Sequence, residues 1–302
     1  MNLDFKPLEG CPVCKSKERE MLFKISESHV YQCLNCELRY LTPCLSPASM
    51  SQAYESNETL SQLHQFHADY YDYGKLEAGS KTRDDFIRGL EEIEKSFSGA
   101  GGRKICDVGY GNGFFLALAK QRGWQVDGID TSRENQKLSG VKFALNLRVG
   151  EFITDVPETR DYDAVTFWDL VEHLPDPGPM LQKAGRILKP GGLVLVAVPN
   201  DRSFLRYLSE FLYALSLRHF RGGLDKVYFL EHPVYYSINP LVEVFRRNGF
   251  VLELYHYSST DLAKYSLPWH EKAIAGVILW LGRVFHLENR LIAVFRKKGD
   301  VL

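Results

Sequence analysis

Apolar positions along this chain change their spacing from segment to segment. In residues 81–97, Phe86, Ile87, Leu90, Ile93 and Phe97 fall on one side of a helical repeat with charges opposite, which predicts an amphipathic helix ended by the glycine-rich Ser98–Gly102. A short apolar run, Ile105–Val108, then predicts a strand. A loop with Gly109, Gly111 and Gly113 follows it, and an apolar helix begins at Phe114. Trp124–Asp130 reads as a second strand closing on an acid. Near the start, Met21–Ile25 and His29–Gln32 read as two short strands. Residues 203–220 return to helical spacing through Phe204, Leu205, Tyr207, Leu208, Phe211, Leu212 and Leu215. Residues 37–80 pass from a Pro/Ser-rich stretch into the tyrosine-rich Asp69–Gly74, which predicts a connection lying across the next domain.

The length of 302 residues accommodates one large α/β domain and a small appendage. A net charge of -1 gives no global pull towards nucleic acid or an anionic membrane. The opening MNLDFKPLEG has no apolar core of a secretory signal, and the run Ala273–Leu281 is far shorter than the ~20 residues of a spanning helix. The expectation is a cytoplasmic protein, in which close cysteine pairs mean metal or redox chemistry.

Two such pairs occur, Cys11–Cys14 and Cys33–Cys36, each with two residues between the thiols and eighteen between the pairs. A C-x₂-C turn aims two thiolates at one ion, and two turns complete the tetrahedral sulfur site that structural Zn²⁺ favours. The two short strands would form a ribbon joining the knuckles. So small a module has too little core to fold without the metal. Neither pair opens a helix after a strand, which counts against a redox motif.

Three glycines between a strand and a helix let backbone N–H groups approach a ligand closely. Asp130 stands about twenty residues on, with Thr131 beside it, where an acid suits the hydroxyls of a ribose. A dinucleotide fold shares these features, but Asp107 inside the motif and Gly113 at its end depart from the dinucleotide spacing.

Four segments in order carry a resemblance. They are Asp107-Val-Gly-Tyr-Gly-Asn-Gly113, Gly128-Ile-Asp130, the run Tyr162–Pro177 with Trp168-Asp-Leu-Val-Glu-His173, and the run Leu188–Asn200. In these the chain resembles class I S-adenosylmethionine-dependent methyltransferases over roughly residues 100–300. With its cysteine lead it is similar to the subset that includes sugar C-methyltransferases. The resemblance implies a Rossmann-like α/β fold, a seven-stranded sheet whose antiparallel end is Phe250–Tyr257 and Asn289–Arg296 around a helix 271–286. It implies that Gly109–Gly113 pass under the methionine part and that Asp130 holds the ribose. Glu151 and Phe152 would lie near the adenine, and Trp168, Asp169 and Leu170 would line the sulfonium. Tyr110 departs from the family's usual Cys or Ala; it would crowd the cofactor or swing towards the acceptor. The implied organisation is a zinc ribbon at 1–42, a linker with helices at 43–98, and a methyltransferase domain at 99–302 with a lid insertion at about 201–236.

Methyl transfer to a hydroxyl or an acidic carbon requires a base, and histidine suits neutral pH. His232 follows Glu231 in Tyr228-Phe-Leu-Glu-His, and His173 follows Glu172. The expected catalytic group is His232 with Glu231, His173 and Tyr228; the plain alternative for both histidines is a loop-fixing bond to backbone. The expected acceptor is a small biosynthetic intermediate. Arg202, Arg206, Arg218 and Arg221 flank the insertion and would suit the diphosphate of a nucleotide sugar. The apolar helix within 203–220 is a lid, a peripheral membrane contact, or simply a helix packed on its own domain. Two other functions compete. One is an RNA methyltransferase gripping nucleic acid through the zinc module, which the neutral charge opposes. The other is a non-catalytic cofactor-binding scaffold, favoured by Tyr110 alone.

Overall fold

The computed structural model of the protein describes residues 3–46, 49–50, 80–97, 102–219, 221–262 and 268–299. The tyrosine-rich segment 69–74 and most of the glycine-rich stretch after residue 97 lie outside them.

The N-terminal part comprises β1 (Phe5–Lys6), β2 (Arg19–Ile25), β3 (Ser28–Cys33), β4 (Arg39–Thr42) and β5 (Cys44–Leu45). β2, β3 and β4 pair antiparallel in sequence, and β1 pairs with β5. Ser26, with φ 47°, closes the tight turn between β2 and β3.

Next come α1 (Lys81–Lys95), β6 (Lys104–Val108), α2 (Phe114–Gln121), β7 (Gln125–Asp130), α3 (Arg133–Phe143), β8 (Arg148–Val149), α4 (Phe152–Asp155) and β9 (Tyr162–Trp168). They are followed by α5 (Gly178–Ile187), β10 (Leu188–Pro199), α6 (Phe204–Leu215), β11 (Val234–Tyr235), α7 (Ile238–Arg247), β12 (Phe250–Ser258), α8 (Trp269–Val284) and β13 (Arg290–Lys297). Serine side chains start three of the helices by accepting a backbone N–H: Ser80 for α1, Ser132 for α3 and Ser203 for α6.

This is an α/β fold. Its seven-stranded sheet runs β12-β13-β10-β9-β6-β7-β8, with β13 antiparallel to both of its neighbours and the pairs from β10 to β8 parallel. Side chains alternate across it. On β10, Val194, Val196 and Val198 enter the layer shared with Leu181 of α5 and Phe245 of α7. Leu193, Leu195 and Ala197 enter the opposite layer, under Leu90 of α1 and Phe115 of α2.

The boundary expected at residue 42 is not where the packing divides. β11, from the insertion, pairs antiparallel with β4 through Val234↔Tyr40 and completes a four-stranded sheet β11-β4-β3-β2. Phe23, Ile25, Val30 and Leu41 of the ribbon share a core with Leu224, Val227, Tyr228 and Tyr235 of the insertion. Ribbon and insertion therefore form one structural unit.

Candidate active site

The loops that follow β6, β7, β9 and β10 gather at the carboxyl ends of the parallel strands, beside the point where strand order reverses around β6, which is where open α/β sheets bind ligands. Gly109, Gly111 and Gly113 take φ of 72°, 56° and 83°, a region that costs residues with a Cβ. Gly111 N–H donates to Asp130 Oδ2 at 3.0 Å, tying loop to strand end. Asp130 also accepts from Ser132 N–H at 2.8 Å and from Asn135 Nδ2 at 3.2 Å. Thr131 is exposed next to it. Burial raises the Asp130 carboxyl above the ordinary range, against the pull of these donors.

Three polar atoms around the loop are buried without a hydrogen-bond partner: Tyr110 Oη, Asn112 Nδ2 and Trp168 Nε1. Such groups are costly unless a ligand or water satisfies them. Of these, Asn112 Nδ2, together with the glycine backbone and the Asp130 carboxylate, fits a ligand carrying a carboxylate and hydroxyls, while Tyr110 and Trp168 belong to a packed layer. Asp107 is 2% exposed and accepts from Thr166 Oγ1 at 2.6 Å. Burial, reinforced by the charge of Asp130, pushes its carboxyl up to about 8, so it is neutral at pH 7.

Several aromatic residues expected at the ligand face inwards. Tyr110 neither blocks the loop nor swings out: its ring is buried beside Gly128, where a Cβ would stand 3.0 Å from it. Trp168, expected at the sulfonium, packs edge-on to Phe86 with centroids 4.7 Å apart and near Phe115 at 5.3 Å. Alternation along β9 sends it to the helix α1 side. Phe152 packs edge-on against Phe167 in the other layer, while Glu151 is exposed at the start of α4. Asp169, at φ 51°, is held by Arg290 at 2.8 Å, and Arg290 also lies 3.9 Å from Asp85. Arg290 and Asp85 come from distant segments, and nothing in their sequence surroundings marks them.

The two histidines singled out in the sequence lie where the turn Val171–His173 meets the insertion. The rings of His173 and His232 sit edge to face with centroids 4.5 Å apart. His173 Nδ1 lies 3.0 Å from the Glu231 carbonyl. A carbonyl only accepts, so Nδ1 donates, and in the neutral ring the basic lone pair is on Nε2. The two expected histidines are thus brought together. Glu172, which sequence reasoning noted only as a neighbour of His173, offers a third group: one ligand atom each from Glu172, His173 and His232 lie within 4.8 Å of one another. Burial, then the charges of Asp169 and Glu231, raise the Glu172 carboxyl well above its ordinary range. Burial pushes Glu231 up to about 8.

Tyr228 does not join this group. Its hydroxyl donates to Glu210 at 2.7 Å and accepts from Arg39 at 3.0 Å, a structural role in which burial raises its pKa. Arg39 further bonds Glu210 at 2.6 Å and lies 3.6 Å from Asp201. The arginines expected at a diphosphate are largely occupied. Arg202 pairs with Glu37, and Arg206 is buried between Asp201 at 2.9 Å and the rings of Tyr228 and Tyr235. Arg221 donates to the Lys24 carbonyl at 2.7 Å. Arg218 is exposed just after α6.

In the ribbon, the sulfur atoms of Cys11 and Cys36 are 3.4 Å apart, as are those of Cys14 and Cys33, and all four lie within 4.8 Å of one another. Lys15 and Glu37, each just after the second cysteine of its pair, take φ of 63° and 61° and fold both knuckles alike. A tetrahedral site with Zn–S of about 2.3 Å separates its sulfurs by about 3.8 Å. The four thiols fit that ion.

Residues 79–255 match a family model described as a methyltransferase domain. The chain is 33% identical over 138 residues, 42% of its length, to the ubiquinone biosynthesis O-methyltransferase of Alkalilimnicola ehrlichii. It is 31% identical over 137 residues to the protein of the same name from Leptothrix cholodnii. It covers 55% and 58% of these two relatives, a little over half their length. Among solved structures it is similar to a chain of a complex between the Haloferax volcanii Trm112 methyltransferase activator and a methyltransferase, with a TM-score of 0.50 at 20% identity. That likeness covers 76% of this chain and 97% of the other, and speaks to the fold.

Proposed function

This chain belongs to the methyltransferase-domain family, and on that premise we propose that it transfers the methyl group of S-adenosylmethionine to a hydroxyl oxygen of a small molecule, with His173 taking the proton. The observation that supports the reading is the contact of His173 Nδ1 with the Glu231 carbonyl, which leaves the lone pair of the neutral ring on Nε2, in a ring that packs edge to face with His232. The names of the relatives support oxygen as the acceptor atom. The acceptor oxygen attacks the methyl carbon, the carbon–sulfur bond breaks, and sulfur keeps the electron pair. The hydroxyl proton passes to imidazole. Because the leaving group is already good, the protein mainly aligns donor with acceptor and excludes water.

On this reading the Gly109–Gly113 backbone and the start of α2 hold the methionine part, and Asp130 with Thr131 holds the ribose. Asp107 holds a proton beneath the loop, and Asp169, fixed by Arg290, stands at the end of β9. Glu151 borders the adenine. Cys11, Cys14, Cys33 and Cys36 hold a structural zinc. The arginines tied to internal partners remove the ground for a diphosphate-bearing acceptor.

A second reading rests on the spacing of Glu172, His173 and His232. A divalent cation there would polarise the acceptor hydroxyl and ionise Glu172. Transfer from S-adenosylmethionine labelled in the methyl carbon tests the main reading: across catechol-type and sugar acceptors, the label is expected in a methoxyl group by carbon NMR. A label found on carbon overturns the oxygen assignment. Turnover that requires added Mg²⁺ selects the second reading over the first.

A further inference from the structure

α6 and α8 lie side by side. The Phe204 ring stacks on Phe285 with centroids 5.9 Å apart, and Phe204 N–H donates to the Leu287 carbonyl at 2.8 Å. Both helices carry exposed apolar side chains. On α6, Phe211 and Leu215 are one turn apart and 62% and 67% exposed. On α8, Trp269, Val277, Trp280 and Val284 fall along one stripe, from 50% to 82% exposed. Sequence reading expected an apolar helix at 203–220; the equal contribution of α8 becomes visible only from its orientation.

Exposed apolar groups in such a row mark an interaction surface. The charges around it indicate its partner. Arg218 follows α6 and Arg283 lies in the last turn of α8, both exposed. Each helix carries one carboxylate: Glu210 is held by Arg39, and Glu271 lies 3.7 Å from Lys226. The face is thus apolar with a cationic margin. An isologous contact with a second copy would set that margin against itself. Apart from the indole N–H groups of Trp269 and Trp280, the stripe offers no polar side chain to fix a register, as protein interfaces do through their hydrogen bonds. No described helix is long and apolar enough to cross a membrane. Tryptophans beside cations suit the headgroup boundary of a bilayer.

We infer that the α6–α8 face docks on the anionic surface of a lipid bilayer. The insertion that supplies α6 also carries Glu231 and His232. On the reading above, docking therefore holds the acceptor side near lipid, where an acceptor with an apolar tail resides.

Flotation with vesicles tests the docking without any turnover. The wild-type chain is expected to float with phosphatidylcholine vesicles containing phosphatidylglycerol, and to do so less in high salt. The exposed-site double variant Phe211→Ser/Trp280→Ser is expected to float at least about tenfold less, and Arg218→Gln or Arg283→Gln about fivefold less each at low salt. Unchanged zinc content and S-adenosylmethionine binding show that these variants are folded. Absence of flotation by the wild type, or equal flotation by the double variant, overturns the proposal. Self-association lost in the double variant without flotation also overturns it, and assigns the face to a second copy.

Discussion

Changing Cys33 and Cys36 to Ser is expected to remove the zinc proposed for the ribbon and to take methyl transfer with it. Structural zinc in small modules contributes about 10–16 kcal/mol, as much as the whole stability of an ordinary domain. The loss does not stay in the ribbon. β4 pairs with β11 two residues beyond His232, and Arg39 on β4 ties Glu210, Asp201 and Tyr228 of the insertion. Without the metal, the wall that presents Glu231 and His232 loses its support. The loop Gly109–Gly113 and Asp130 lie on β6 and β7, outside the ribbon's sheet. The expected result is a fall from about one zinc per chain to none, turnover reduced more than about 100-fold, and cofactor binding largely kept. Metal analysis, a turnover assay and a cofactor titration on the same preparation check all three. A zinc-free variant with full turnover would show that the ribbon is not needed to build the site.

His173→Ala is expected to lower turnover by about 10²–10⁴-fold, the usual worth of a positioned base. Affinity for S-adenosylmethionine should hardly change, because the ring bonds the insertion and not the glycine loop. His232→Ala should cost less if its ring orients that of His173, and comparably if the two share the proton. Tyr228→Phe serves as the contrast. It removes bonds to Glu210 and Arg39 and lowers the melting temperature while leaving the acid limb of the pH–rate profile in place. In His173→Ala that limb should disappear, since the protonated imidazole accepts no proton. If both histidine variants keep full turnover and the limb, transfer proceeds by alignment alone.

Much of this was legible in the sequence because it rests on local rules. Glycines at 109, 111 and 113 between an apolar strand and an apolar helix can do little else, and paired C-x₂-C turns aim four thiols at one point. The antiparallel end of the sheet agrees with the expected segments within a residue or two, β12 at Phe250–Ser258 and β13 at Arg290–Lys297. What escaped is set by long-range packing. β11 is two residues long and meets β4 about two thirds of the chain away, through Val234↔Tyr40, so no periodicity announces it. Trp168, Tyr110 and Phe152 look the same in sequence whether they line a ligand or fill a layer; strand alternation and burial beside Gly128 turned them inwards. Arg202, Arg206 and Arg221 suggested a phosphate clamp until Glu37, Asp201 and the Lys24 carbonyl were found to hold them. Helix α8 has the composition of a core helix, and its outward face follows only from how it lies on α6.

Calorimetric titration of the zinc-loaded chain with S-adenosylmethionine, beside Asp130→Ala, tests the central claim most directly. Charge-assisted hydrogen bonds are worth about 1.5–3 kcal/mol each, which is roughly tenfold or more in affinity. Asp130 also anchors Gly111 N–H, so its loss loosens the loop as well as the ribose contact. The account predicts one site in the wild type and at least about tenfold weaker binding in the variant. Absence of binding by the wild type, or equal binding by both, would contradict it.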